Sequence, residues 1–177
     1  HVASLLSDTK NPQGVFALCS FSEKNASING KVLVMENLQD PGNIGTIFRT
    51  AEALGIETLV LLGDCCDVYS PKVIRSTMGA IFRVNFLKAE DFNTFFSLLK
   101  NADYQCFAAV PSDKAENVTK LNFSEKTAVF IGNEGNGLSE ICKSTLKNIT
   151  IPMNGNAESL NASIAASIIM WEMVRNV

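Results

Sequence analysis

Several short runs in this chain are apolar at consecutive positions, among them "VLVMEN" (32–37), "TLVLLGD" (58–64) and "TAVFIGN" (127–133). A strand with one wet face alternates polar and apolar residues. A run without alternation suits a strand covered on both faces, as in a parallel sheet. Further strand candidates are "VFALCSF" (15–21), "VNFL" (84–87), "QCFAAV" (105–110) and "NITIPM" (148–153). Helical periodicity falls between the strands, at 42–54, 71–81, 90–101, 138–147 and 158–175. This order predicts an α/β fold with a mostly parallel sheet and helices on both faces. The polar stretch 22–31 reads as a loop.

A chain of 177 residues suits one domain with a real core. At 46% hydrophobic and 19% charged it is globular in composition, which excludes a disordered chain. No apolar run approaches the roughly 18 residues of a membrane span. The first ten residues lack the basic start and long apolar core of a signal peptide. The five cysteines (19, 65, 66, 106 and 142) are odd in number, show no C-x-x-C spacing, and read as free thiols of a reducing cytoplasm. The only histidine is His1, so the commonest general base and zinc ligand is missing from the body of the chain and no metal site is expected. Chemistry here falls to carboxylates, hydroxyls, amides, Lys or Arg. A net charge of −3 argues against a chain-wide nucleic-acid surface but leaves room for a local patch. Lys72, Arg75 and Arg83 are candidates for a basic rim, or for an ordinary solvated helix face.

In an open parallel sheet, ligands bind at the carboxyl ends of the strands. Three strand-to-helix junctions therefore carry the information. In "NLQDPGNIGTIFRTAEALG" (37–55), Asp40 is a helix N-cap, Pro41 fits the first turn and Gly55 the stop. Ile44, Ile47, Phe48, Ala51 and Leu54 form the core face, which leaves Asn43, Thr46, Arg49 and Thr50 over. Arg49 is either a solvated cation or a guanidinium that grips a phosphate or ribose oxygen. In "VFIGNEGNGLSEI" (129–141), glycines 132, 135 and 137 permit close backbone approach to a ligand, and Glu134 stands among them. A turn-rich linker is the plain alternative; the spacing is neither a P-loop nor G-x-G-x-x-G. In "ITIPMNGNAESLNASIAASIIMWEMVR" (149–175), Ser159 or Glu158 is the candidate cap of a long helix that is apolar almost all round. Such a helix suits a subunit interface as well as a core.

Taken in order, "NLQDPGNIGTIFRTAEALG", "IGNEGNGLS" and "IPMNGNAESLNASIAA" resemble the three motifs of the SpoU/TrmH-type RNA ribose 2′-O-methyltransferases, of the SPOUT superfamily. The resemblance covers roughly residues 30–175. It implies a C-terminal trefoil knot, S-adenosylmethionine as methyl donor, and a homodimer formed through helix 158–175. It also implies that residues 30–177 are the methyltransferase domain. Residues 1–29 would be a linker and first strand following a small N-terminal RNA-binding domain, because "SDTKNPQGVFALCS" (7–20) resembles the joining segment. By the same resemblance, Asn43 and Arg49 face the target ribose and its phosphate, and Glu134 shapes the catalytic pocket. Ser159 and Asn161 orient Arg49 or the substrate. The cofactor lies against Gly132, Ile151, Met153 and Leu160, with Ala109 and Val110 as a further wall. The implied substrate is structured RNA, ribosomal before transfer RNA.

Two rivals are weighed against this. A dinucleotide-dependent oxidoreductase needs G-x-G-x-x-G after an early strand, where this chain has "ENLQDPGN". A non-catalytic RNA-binding or dimerisation module of the same fold is the other.

Overall fold

The computed structural model describes residues 2–7, 11, 14–17 and 27–175. A short helix, α1 (Val2–Leu6), precedes an alternation of strands and helices. These are β1 (Val32–Glu36), α2 (Pro41–Leu54), β2 (Thr58–Leu62), α3 (Pro71–Ser76), β3 (Asn85–Ala89) and α4 (Phe92–Asn101). There follow β4 (Gln105–Ala109), β5 (Glu116–Asn117), β6 (Thr127–Ile131), α5 (Glu140–Thr145), β7 (Lys147–Thr150) and α6 (Ala162–Val174). The strands form one sheet in the order β3-β2-β1-β6-β4-β7-β5, and every neighbouring pair is parallel.

The unalternating runs occupy the centre of that sheet. β1, β2 and β6 are neighbours and are buried along their whole length. Successive side chains point to opposite faces. Leu33, Met35, Leu59 and Ile131 thus pack with α2 and α6, while Val32, Val34, Val60 and Phe130 pack with α4 and α5. Phe130 meets Phe92 edge-on at 5.8 Å. Fully burying a side chain of this size contributes about 1.5–3 kcal/mol.

Polar caps set where the helices begin. Asp40 accepts from the backbone N–H groups of Gly42 (2.6 Å) and Asn43 (2.9 Å), so α2 opens at Pro41. Asp91 and Ser139 cap α4 and α5 in the same way. For α6 the cap is Asn161, not Ser159 or Glu158, and the helix starts at Ala162 rather than at 158. The helix expected over 71–81 stops at Ser76, because Met78 (φ 50°) and Gly79 (φ 87°) turn into the left-handed region before a 3-10 turn at Ala80–Phe82. The expected strand at 15–21 is corrected in part: residues 15–17 carry no strand, and the rest of it lies outside the described residues. The seventh strand is instead β5, two polar residues paired with β7, which no apolar pattern marks.

The sheet reverses its direction of growth at β1, since β2 and β3 lie on one side of it and β6 and β4 on the other. Ligand-binding crevices form outside the carboxyl ends of strands at such a point.

Candidate functional site

The loops leaving β1, β2 and β6 are tied together. Asn37, just past β1, has φ 54°, a left-handed conformation that Asn tolerates better than most residues. Its carbonyl accepts from Asn133 Nδ2 at 2.8 Å, and its Oδ1 accepts from the Asp64 N–H at 2.8 Å. Asn133 closes the glycine-rich loop as a tight turn by exchanging backbone hydrogen bonds with Gly137 at 3.1 and 2.9 Å. Gly132 is required there: a Cβ on it would stand 2.1 Å from Gly137 C and Leu138 N. Sequence reading passed over Asn37 and Asn133. The available signal was an Asn within two residues of the end of each of two buried strands, a residue type suited to such turns.

Three candidate residues meet on this frame. Asn43 Nδ2 donates to Glu134 Oε1 at 2.9 Å, and Asn161 Nδ2 donates to Asn43 Oδ1 at 3.1 Å. Asn161 Oδ1 accepts from Ser163 N at 2.9 Å, Ser163 Oγ at 2.7 Å and Ile164 N at 3.3 Å. The cap of α6 and the first turn of α2 are therefore joined to the glycine-rich loop by one chain of side-chain amides. The Asp40 N–H also donates to Glu134 Oε1, at 3.3 Å. Burial pushes the Glu134 carboxyl upward. The Asn43 amide and the backbone N–H groups of Glu134, Asp40 and Gln39 outweigh it, and its pKa lies below the ordinary value.

Beside this chain of amides lies a cavity of about 590 Å³, within the usual range of small-molecule sites. Ala109, Val110, Gly132, Ile151, Met153 and Leu160 all line it, and so do Glu134 and Ser159. Its walls come from the ends of β4, β6 and β7 and from the start of α6. Apolar side chains and glycine main chain form most of the surface. Such walls suit a small molecule that carries both apolar and polar groups. Among the described residues no three His, Cys, Asp or Glu side chains gather as metal ligands.

Arg49 is not brought to this cavity. It stands exposed on α2 and forms no hydrogen bond or ion pair with a described residue. Six residues after Asn43, it sits about 240° further round the helix. The expected orientation of Arg49 by Ser159 or Asn161 is thus not made within the chain, where Asn161 is committed to Asn43 and to the α6 cap. Its neighbour Thr50 lies against α6, with Oγ1 3.3 Å from Ser167 Oγ. In the basic rim, Arg83 is held by Glu52, whereas Lys72 and Arg75 are exposed without an ion pair among the described residues. Burial pushes the Cys142 thiol up to about 12 and the Cys106 thiol up to about 11, so neither is a thiolate nucleophile near neutral pH. Cys19 lies outside the described residues.

Fold and site together define an α/β domain with a cavity of small-molecule size at the carboxyl ends of β4, β6 and β7, beside a fixed carboxylate and amides. The chain belongs to the SpoU rRNA methylase family, whose profile matches residues 30–171. It is 33% identical, over 96% of its length, to the 23S rRNA (guanosine(2553)-2′-O)-methyltransferase RlmP of Bacillus subtilis, and covers 68% of that protein. Among solved structures it superposes on the AdoMet-bound rRNA methyltransferase from Sinorhizobium meliloti with a TM-score of 0.79, at 28% identity, covering 86% of this chain and 58% of that one. It superposes equally on the SpoU methyltransferase AviRb from Streptomyces viridochromogenes in complex with AdoMet: TM-score 0.78, 30% identity, 85% of this chain and 62% of that one.

Proposed function

We propose that this chain transfers a methyl group from S-adenosylmethionine to the 2′-OH of a ribose in structured RNA, ribosomal rather than transfer RNA. The observation that carries the reading is the cavity, in which Gly132, Ile151, Met153 and Leu160 converge with Ala109 and Val110 beside Glu134. These residues hold the cofactor by main-chain contact and apolar packing. S-adenosylmethionine supplies a methyl on a positively charged sulfur, an electrophile that needs no further activation and no metal. What remains for the protein is to orient the hydroxyl and to stabilise the charge that develops on it. Glu134 is fixed by its donors and positions Asn43. Asn43 and Asn161 present the ribose, with Ser159 at the cavity edge. Arg49 serves as a fixed cation for the oxygen and the phosphate. A guanidinium does not deprotonate at neutral pH, so the proton leaves to water or to the phosphate. The preference for ribosomal RNA is supported by the substrate for which the B. subtilis relative is named.

The reading includes a homodimer in the cytoplasm. Ile164 and Trp171, on the outer side of α6, are 50% and 55% exposed, which supports docking of a second copy there. α2 packs on α6, so that second copy lies near Arg49. Arg49, outside its own chain's cavity, then serves the partner's cavity. A trefoil knot belongs to the same reading. Ala109 and Glu116 both pair with Ile149, from opposite sides of β7. Loop 110–115 therefore spans β7, and the chain leaving β7 has to pass it, which supports threading. An N-terminal RNA-binding domain, joined through residues 1–29 as linker, completes the proposal.

Calorimetric titration with S-adenosylmethionine, run beside a methyl-transfer assay on ribosomal RNA, tests it. Arg49→Ala and Arg49→Lys should each lose most turnover while cofactor affinity survives. Failure to bind S-adenosylmethionine would leave the non-catalytic module as the better reading. Near-normal turnover in Arg49→Lys would remove the planar, bidentate role.

A further inference from the structure

Buried polar atoms in a folded domain almost always have a hydrogen-bond partner. Among the described residues, two buried side-chain oxygens make no hydrogen bond: Asn148 Oδ1 and Glu172 Oε2. Glu172 Oε2 is ion-paired with Arg175 Nε at 2.6 Å. Asn148 Oδ1 is thus the one buried side-chain oxygen left without any polar partner among the described residues. Its desolvation is offset by nothing in the chain.

The fold explains why nothing reaches it. Asn148 is the second residue of β7 and stands opposite Ala108 of β4, which is fully buried and offers only a methyl. Alternate residues of a strand share a face. Ile149 points into the core with α2 and α6, so Asn148 and Thr150 face the other side, where α5 packs. Leu138 and Leu146, on that side, have no side-chain donor to give. Asn148, Thr150 and Lys143 all line the cavity of the candidate site, with Val110 and Leu138. Lys143 Nζ is directed to Glu140 Oε1 at 2.6 Å. The unmade acceptor therefore belongs to the cavity wall, and a group entering the cavity is what can satisfy it.

The chemistry of the amide selects that group. Neither end of the Asn148 side chain bonds to a described residue, so an acceptor and a donor stand free side by side. Adenine presents the matching pair, an exocyclic amine beside a ring nitrogen. An ammonium has donors only and a carboxylate acceptors only, so either would leave one end of the amide unmade.

We propose that Asn148 binds the adenine ring of the cofactor, with Oδ1 accepting from the 6-amino group and Nδ2 donating to the adjacent ring nitrogen. The proposal rests on the S-adenosylmethionine reading above and adds the residue that selects its base.

The test is calorimetric titration of the full chain with three probes. These are S-adenosylhomocysteine, its analogue with hydrogen in place of the 6-amino group, and 5′-methylthioadenosine, which lacks the amino-acid end. The parent should bind the deaminated analogue about tenfold or more weakly than S-adenosylhomocysteine. Asn148→Leu should lose about tenfold or more in affinity for S-adenosylhomocysteine and for 5′-methylthioadenosine alike, and should bind the first two probes within about threefold of each other. Without ligand, the urea midpoint of Asn148→Leu should equal or exceed the parent's, because an unmade buried acceptor has been replaced by an apolar group. Equal binding of the first two probes by the parent overturns the proposal without recourse to any variant. So does a loss in Asn148→Leu confined to S-adenosylhomocysteine, which would assign the amide to the amino-acid end. A lowered urea midpoint also overturns it, since Asn148 would then serve the fold. A parent that binds none of the three probes removes the S-adenosylmethionine reading itself, and this proposal with it; a parent that binds all three alike removes this proposal only.

Discussion

At the scale of single residues, the site is a set of short polar side chains that orient one another. Asn43 is 8% exposed, and its amide donates to Glu134 and accepts from Asn161. Removing a partner from such a chain leaves a buried group unsatisfied, at a cost of about 1–3 kcal/mol. Asn43→Ala should therefore lower turnover tenfold or more while changing S-adenosylmethionine affinity less than twofold, as read by single-turnover kinetics and calorimetry. Glu134 makes a pH prediction whose sign follows from its depressed pKa. Its stabilising contribution is present above the ordinary value of 4.5 and is lost as the pH falls through the lowered folded-state value. Glu134→Gln should flatten the acid limb of the stability curve below pH 4.5, measured as urea midpoints between about pH 3 and 7. An unchanged acid limb would mean that the donors around Glu134 do not favour its ionised form.

At the scale of elements, caps and close approaches decide where the site residues stand. The Asp40 cap places Asn43 in the first turn of α2, and the Asn161 cap aims the start of α6 at it. Both were legible in part. Asp-Pro before an apolar stripe marked the first cap. For the second the local pattern points to Ser159 or Glu158, because Ser is as good an N-cap as Asn and nothing local favours position 161. What selected Asn161 is its additional bond to Asn43, 118 residues away in sequence. Gly132→Ala tests the close approach. The added methyl meets backbone rather than a flexible side-chain end, so the turn at 133–137 must shift. Cofactor affinity should fall at least tenfold while the far-ultraviolet circular dichroism stays native. Unchanged affinity would show that the turn does not form the cavity wall.

At the scale of the whole molecule, an exposed apolar edge remains on α6. Replacing Trp171 with a charged residue puts an uncompensated charge into any contact built there. Trp171→Glu should give a monomer in sedimentation equilibrium, with turnover lost and the cavity still able to bind cofactor weakly. Full activity as a monomer would sever α6 association from function, and with it the service of Arg49 across the interface.

The sequence by itself determined the parallel α/β class, because 32–35 and 128–131 are apolar at four consecutive positions and a doubly covered strand accommodates that. It also marked the three junctions that bear the site, since turn and cap residues act locally. Tertiary structure alone decided the rest. Glu134, Asn43 and Asn161 meet only because β6 inserts beside β1 and α6 packs on α2. β5 exists only through its pairing with β7. Arg49 lies on the wrong side of α2 for its own cavity, which no local spacing reveals, because hydrogen bonds and packing across some ninety to one hundred and twenty residues follow from strand order and not from sequence neighbours.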